Sequence, residues 1–175
     1  WSNKMGSDPV VKGVYRLVHT RKGVIINMLE GNNSIKYTGL CTLYDKTLCS
    51  GSNTKMTLYC GLLATLSATP GRDATMGSLS TYSTLFTGIS STYWPTWIPD
   101  TTDASRLSTN IISNYSPMVF HVNTTGNING FYLGTAQSKT YSGILWATFA
   151  TDTLECINGD VLYIQYTIDF SGTGV

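Results

Sequence analysis

Residues 161–170 form the most regular stretch of alternating positions in the chain. Apolar or aromatic residues occupy every even position, while the odd positions change from apolar to polar toward the end of the stretch. A period of two residues places one set of side chains on one face of a strand, whereas a helix would scatter them. The pattern predicts a strand in the middle of a sheet. Its predicted buried face consists of Leu162, Ile164, Tyr166, Ile168 and Phe170.

Shorter alternations and apolar runs recur along the rest of the chain. They predict strands at residues 10–19, 24–29, 35–43, 56–66, 79–89, 118–122, 130–135 and 144–149. A Glu-Gly-Asn-Asn sequence at 30–33 predicts a turn, and residues 102–112 form the one segment with helical spacing. Regularly spaced strands with little helix are typical of β-sandwiches, and eight strands in two sheets is the jelly-roll number. The predicted fold is all-β, an antiparallel two-sheet jelly-roll β-sandwich that spans residues 1–175 as a single domain.

Two segments near the C-terminus carry a resemblance to a known family. The first segment is Gly143-x-Leu145-x-Ala147-Thr148. The second segment is Gly159-x-x-Leu162-x-Ile164-x-Tyr166-x-Ile168-x-Phe170. Together, over residues 141–170, they resemble the last two strands of the shell domains in tombusvirus- and sobemovirus-like coat proteins. An ordinary two-sheet domain with no viral role is the alternative interpretation of the same alternation.

The resemblance implies a capsid protein that self-assembles into an icosahedral shell enclosing an RNA genome. Its partners would then be further copies of itself and viral RNA, and its location would be the virion after assembly in the host cytoplasm. Shell domains of this family are often flanked by an arginine-rich arm and a projecting domain. We expect that these parts are missing here or that the protein is a compact, satellite-type coat. A membrane partner is not expected, because no apolar run approaches the ~20 residues of a membrane span.

Charged residues are few and unevenly distributed. They make up 12% of the chain, and such a surface suits contacts between protein subunits. The net charge is +1, yet residues 1–23 contain five basic residues and one acidic residue. We expect the basic residues to contact nucleic acid, and a solvated strand and turn is the alternative. The five basic residues are Lys4, Lys12, Arg16, Arg21 and Lys22. Their replacement by serine is expected to leave the sandwich intact.

Motifs for catalysis and metal binding are scarce. The 4 cysteines form no Cys-x-x-Cys pair, which disfavours zinc and predicts buried free thiols. The 2 histidines lie on predicted strands as structural residues, and no catalytic motif is present, so the chain is predicted not to be an enzyme and no catalytic residue is assigned. Asp100 and Asp103 are weak calcium candidates, since related shells often bind calcium between subunits, and helix capping is the alternative. No other cofactor is expected.

The aromatic segment 93–99 supports an alternative function. Tyr93, Trp94 and Trp97 would form a stacking platform for a sugar ring in a carbohydrate-binding or adhesin-type β-sandwich. The same side chains are also suited to cap one end of the core. Particles seen by electron microscopy would favour the coat protein, whereas a monomer that binds glycans would favour the alternative.

Overall fold

The computed structural model describes residues 10–44, 56–100 and 111–172. Ten strands and two short helices lie within those ranges. In chain order they are β1 (Val10–Arg21), β2 (Val24–Ser34), α1 (Tyr37–Tyr44), β3 (Leu58–Leu66), α2 (Met76–Tyr82), β4 (Ser83–Leu85), β5 (Thr96–Trp97), β6 (Ile111–Ser113), β7 (Met118–His121), β8 (Gly126–Gly134), β9 (Leu145–Cys156) and β10 (Val161–Gly172).

The strands form two antiparallel sheets. Sheet 1 has the order β2–β1–β10–β6, and β7 also pairs with β10. Sheet 2 has the order β4–β3–β8–β9, and β5 also pairs with β3. Since β10 has β1 on one side and both β6 and β7 on the other, the strand with the clearest alternation is central, as predicted. The prediction of an all-β fold with two antiparallel sheets is confirmed.

The inner faces of the two sheets share one apolar core. The predicted face of β10 is confirmed for Leu162, Ile164, Tyr166 and Ile168, which are at most 5% exposed. The prediction is wrong for Phe170, which is 37% exposed.

Aromatic side chains form the centre of this core. Phe131 and Phe149 stack with their ring centroids 4.4 Å apart, and Tyr15 meets both of them edge-on. The indole of Trp146 donates a hydrogen bond of 3.2 Å to the hydroxyl of Tyr166. Edge-on and stacked ring pairs add specific geometry to the free energy of apolar burial.

A second, smaller apolar cluster lies on the outer face of sheet 2, beneath α2. Met76 and Leu79 of the helix pack with Leu63 and Tyr132 of the sheet. Residues 79–89 were expected to form a strand, and this prediction is wrong because α2 occupies Met76–Tyr82 and only Ser83–Leu85 is extended. The helix begins with a capping box, in which Thr75 and Ser78 satisfy each other's backbone N–H groups.

The predicted strand at 35–43 is also wrong, because Tyr37–Tyr44 form helix α1. Its backbone is anchored to β9, since the Lys36 N–H donates a bond of 2.8 Å to the Trp146 carbonyl. Gly39 packs so closely on the Trp146 ring that an added Cβ would lie 2.7 Å from it. The helix exposes Cys41, which was predicted to be buried.

Two further sequence predictions are corrected by strand pairing. The predicted turn at 30–33 is instead part of β2, which continues to Ser34 and stays in register with β1. The predicted helix at 102–112 lies largely outside the described residues, but its last two residues, Ile111 and Ile112, belong to strand β6. In both places backbone hydrogen bonds to a neighbouring strand outweigh the local preference of the residues.

Candidate assembly and nucleic-acid surfaces

The outer face of sheet 1 carries an apolar row that crosses four strands. Met28 of β2 lies opposite Val18 of β1, and Val18 lies opposite Tyr163 of β10. Tyr163 in turn lies opposite Val119 of β7. Residues directly opposite in an antiparallel pair share a face, so these side chains form a continuous row. Met28 is 45% exposed, and Tyr163 and Val119 are each 37% exposed.

Further exposed apolar side chains lie at the tip of the β1–β2 hairpin. Lys22 and Gly23 both have positive φ, 51° and 79°, which suits the tight turn that reverses the chain there. The next three residues, Val24, Ile25 and Ile26, are 64%, 56% and 46% exposed. We call the row and these three residues the apolar band. It consists of Val18, Val24, Ile25, Ile26, Met28, Val119 and Tyr163.

Strand β2 is an edge of sheet 1 within the described part of the chain, where it pairs with β1 alone. Its backbone groups on the other side are therefore available to a further strand. Natural edge strands are usually protected by charged residues, proline or short length. β2 is 11 residues long, and its first six residues, VIINML, include no charge and no proline. Such an edge is suited to pairing with another polypeptide strand.

The basic residues predicted to contact nucleic acid do not converge on one point. Lys4 lies outside the described residues, Lys12 and Arg16 are exposed on the outer face of β1, and Lys22 is exposed at the hairpin turn. Ten residues of extended chain separate Lys12 from Lys22, which corresponds to about 33 Å. The Nε atom of Arg16 lies 3.3 Å from Oε1 of Glu30, and an ion pair this exposed contributes little stability.

Arg21 has a different role from the other four, because it pairs with a buried carboxylate. Its Nε and Nη2 atoms donate bonds of 2.9 Å to the two oxygens of Asp160, whose side chain is 0% exposed. The Ile157 N–H and Nε2 of His19 also donate to Oδ2 of Asp160, each at 2.9 Å. Since an ionised carboxylate only accepts, Nε2 of His19 carries the hydrogen. The expectation that serine at position 21 leaves the fold intact therefore does not hold.

These contacts determine the electrostatics of the buried network. The guanidinium of Arg21 is the main cause that holds the pKa of the Asp160 carboxyl well below its usual range, with further lowering by the Ile157 N–H and His19. Burial, assisted by Asp160, raises the pKa of the nearby Cys156 thiol to about 11. The network joins the end of β1 to the turn between β9 and β10.

Within the described ranges, His19, Cys156 and Asp160 are the one group whose potential metal-ligand atoms lie within 4.8 Å of one another. The arrangement does not fit a metal ion well. Arg21 already supplies the positive charge, and both oxygens of Asp160 are taken up by Arg21, His19 and the Ile157 N–H. Of the two calcium candidates, Asp103 lies outside the described residues, and Asp100 is a partly buried residue whose N–H donates to the Ser113 carbonyl at 2.8 Å.

The aromatic segment proposed as a sugar platform is mostly internal. Trp94 is 2% exposed and Trp97 is 8% exposed, so only Tyr93, at 53%, presents its ring to solvent. The Trp97 indole donates a bond of 3.0 Å to the Tyr166 carbonyl, which anchors the segment to β10. The expectation that these aromatics cap the core is met by the two tryptophans.

Comparison of the chain with protein-family models, with curated proteins and with solved structures yields no match. Neither helix in the described ranges has the length and apolar composition required to cross a bilayer.

Proposed function

We propose that this protein is the coat subunit of a small RNA virus, which self-assembles into a closed icosahedral shell around the genome. The observation that carries the proposal is the apolar band beside the unprotected edge of β2. Contiguous exposed apolar surface on a folded domain is typical of a protein contact site. In this proposal the protein acts by packing and not by catalysis, and it resides in the virion after assembly in the host cytoplasm.

A second copy of the chain is the occupant that best suits this surface. A strand edge is self-complementary, because two copies of β2 related by a two-fold axis can pair antiparallel and exchange N–H···O=C bonds. The apolar band would meet its own counterpart across such an axis. Arg16 and Glu30 lie side by side next to the band, so each can also meet the opposite charge of the other copy.

The jelly roll is the finer fold that we propose for this two-sheet domain. The chain passes between the sheets four times, at β2–β3, β5–β6, β7–β8 and β9–β10. The first and last strands lie side by side, and the two strands that carry the family resemblance belong to opposite sheets. The other five connections stay within a sheet, and they include the hairpins β1–β2 and β8–β9, which depart from strict alternation between sheets.

Nucleic acid would be held by phosphate contacts of the exposed basic side chains. Lys12, Arg16 and Lys22 are exposed in the described structure, Lys4 lies outside the described residues, and Arg21 is left out of the set. Such contacts are salt-dependent and need no sequence readout.

The assembly test compares the full chain with a hairpin variant that combines Val24→Ser, Ile25→Ser and Ile26→Ser. We expect the wild type to form uniform particles by light scattering and negative-stain microscopy, and the variant to remain subunit-sized with an unchanged circular dichroism spectrum. The matched control combines Ile98→Ser and Tyr115→Ser, since these residues are 57% and 71% exposed but lie outside the apolar band. A wild type that stays monomeric at neutral pH across salt concentrations contradicts the proposal.

The nucleic-acid test uses the double variant Lys12→Ser, Lys22→Ser, which spares Arg21 and its buried partner. Each lost phosphate contact with single-stranded RNA should reduce the salt-dependence slope by about 0.7, so the double variant should lose about 1.4. We also expect purified particles to contain less RNA. An unchanged ratio of absorbance at 260 and 280 nm would assign RNA binding to other residues.

A further inference from the structure

A cleft of about 600 Å³ opens at the edge of sheet 2 formed by β9, beside residues of β1 and β2. Its walls are formed by the N-terminal part of β1, the C-terminal part of β2, the middle of β9, and residues 69–72 after β3. No local sequence pattern marks this cleft, because its residues are far apart in the chain and match no motif. The polar residues of the lining include Lys12, Asn33, Lys36, Arg72 and Thr148.

The side chains that line the cleft carry positive charge. Lys12, Lys36 and Arg72 contribute to the walls, and no Asp or Glu does so within the described residues. Carboxylates do lie nearby: Asp73 acts on Lys36, and Asp169 lies opposite Lys12 in the register of β1 and β10. An anion in the cleft would therefore be held mainly by Lys36 and Arg72.

Within the described residues, the buried ammonium of Lys36 has partners for two of its three N–H groups. Lys36 is 3% exposed, and its Nζ atom donates to the carbonyls of Pro70 at 2.7 Å and Gly71 at 2.9 Å. An ammonium has three N–H groups, so one remains for a ligand. Burial lowers the pKa of Lys36 to about 8, with partial compensation by Asp73. An anion beside it would offset the cost of keeping this charge out of water.

Arg72 is held in place at the same cleft. Its guanidinium carbon lies 4.4 Å from the centroid of the Tyr37 ring, and its carbonyl accepts a bond of 2.9 Å from the Tyr37 N–H. A guanidinium fixed by stacking presents its planar donors with little further loss of entropy, and this fork matches the oxygens of phosphate.

Thr148 supplies the observation that points most directly to a ligand. The residue lines the cleft and is 5% exposed, and its buried hydroxyl has no hydrogen-bond partner in the described structure. Oδ1 of Asn33 is likewise without a partner, while Nδ2 of Asn33 donates to the Thr148 carbonyl at 3.0 Å. Buried polar atoms are rarely left unsatisfied. The Thr148 hydroxyl can donate to an anion, and a bridging water or a protonated phosphate oxygen can donate to Asn33.

We propose that this cleft binds a phosphate group, with Lys36, Arg72 and the Thr148 hydroxyl as donors and Lys12 at the rim. The site does not depend on the proposed coat function, because it is complete within one chain. Its ligand has two possible sources with the same chemistry, free phosphate and the phosphodiester of single-stranded RNA.

The test measures binding of inorganic phosphate to the full chain by isothermal titration calorimetry at constant ionic strength, with chloride as the reference anion. Thr148→Val is the sharpest variant, because it keeps the shape and removes an unpaired buried hydroxyl, which should not lower the stability of the fold. Arg72→Gln removes the fork. The matched control is Lys22→Gln, which removes one exposed positive charge at the distant hairpin turn.

We expect Thr148→Val and Arg72→Gln each to weaken phosphate binding by about tenfold or more, and Lys22→Gln to leave it unchanged. Equal binding by wild type, Thr148→Val and Arg72→Gln overturns the proposal, as does an equal loss in all three variants, which would indicate non-specific attraction. A second titration uses a single-stranded RNA oligonucleotide in place of phosphate. If both cleft variants weaken RNA binding and free phosphate displaces the RNA, the site binds the phosphodiester. If the variants weaken phosphate binding but leave RNA binding unchanged, the site binds free phosphate.

Discussion

Replacement of Asp160 by asparagine should destabilise the fold more than any other single loss of charge in the described structure. The carboxylate accepts four bonds of 2.9 Å, two from Arg21, one from His19 and one from the Ile157 N–H, and it is fully buried. Breaking a fully buried ion pair costs about 3–5 kcal/mol. The Arg21 side chain is 35% exposed, so water solvates it in part once its partner is lost, and we discount the cost to about 3 kcal/mol.

The assay is urea unfolding followed by tryptophan fluorescence, with thermal unfolding as a second measurement. A loss of about 3 kcal/mol in a domain of this size corresponds to a fall in Tm of about 6–12 °C. Asp152→Asn is the control, because it removes an exposed carboxylate from the same strand β9 and should change the free energy of unfolding by no more than about 0.5 kcal/mol.

The pH dependence separates the lost charge from a general packing defect. The pKa of Asp160 is lowered in the folded state, so the unfolded chain takes up the proton first as the pH falls. The stability due to the ionised carboxylate is therefore fully present above the unfolded pKa of about 3.9 and declines below it. The gap between wild type and Asp160→Asn should narrow between pH 5 and pH 3. A gap below about 0.5 kcal/mol at pH 7, or one that does not change with pH, would refute this reasoning.

Three further predictions concern the core and the cleft. Ile164→Asp should leave the chain unfolded by circular dichroism, because it buries a charge without a partner at a position that is 0% exposed; a folded variant would contradict the assigned face of β10. Trp94→Ala should lower the free energy of unfolding by about 3–5 kcal/mol and Tyr93→Ala by less than about 1 kcal/mol, whereas equal small effects would show that Trp94 is not a core residue. The stability of the wild type relative to Lys36→Met should rise between pH 8 and pH 10, because the unfolded state binds the Lys36 proton more tightly than the folded state, whose pKa is about 8. Burial raises the pKa of Cys60 and Cys156, which lowers stability over the same range in both proteins, so denaturant titrations should test the difference between the two.

Several features of this protein follow from local sequence and were predicted correctly. The alternation over residues 161–170 placed Leu162, Ile164, Tyr166 and Ile168 in the core, because a side-chain period of two persists wherever a strand has one buried face. In β1 the same period of two separates the buried Val11, Tyr15 and Leu17 from the exposed Lys12 and Arg16. The prediction failed for Phe170, because this residue lies near the end of the strand, where the opposite layer no longer covers the face.

Short apolar runs did not determine their own secondary structure. Residues 35–43 contain enough alternation for a strand, yet α1 forms, with Gly39 packed against Trp146 of β9 and Leu40 buried. At residues 30–33 the glycine and asparagines favoured a turn, but the register with β1 gave each of them a strand partner. In each case a contact with a distant segment outweighed a local preference of a fraction of a kcal/mol per residue.

The functional surfaces also depend partly on the sequence and partly on the tertiary structure. The sequence by itself determined an all-β chain with few charges, most of the buried face of its last strand, and an excess of basic residues near the start. Only the tertiary structure decided which basic residues remain available. Arg21 meets Asp160, 139 residues away, and is withdrawn from the surface set, while Lys36 and Arg72 meet Thr148 at one cleft. The physical reason is that charge and hydrogen-bond partners are chosen by distance in space, and strand pairing joins residues whose separation along the chain leaves no local pattern.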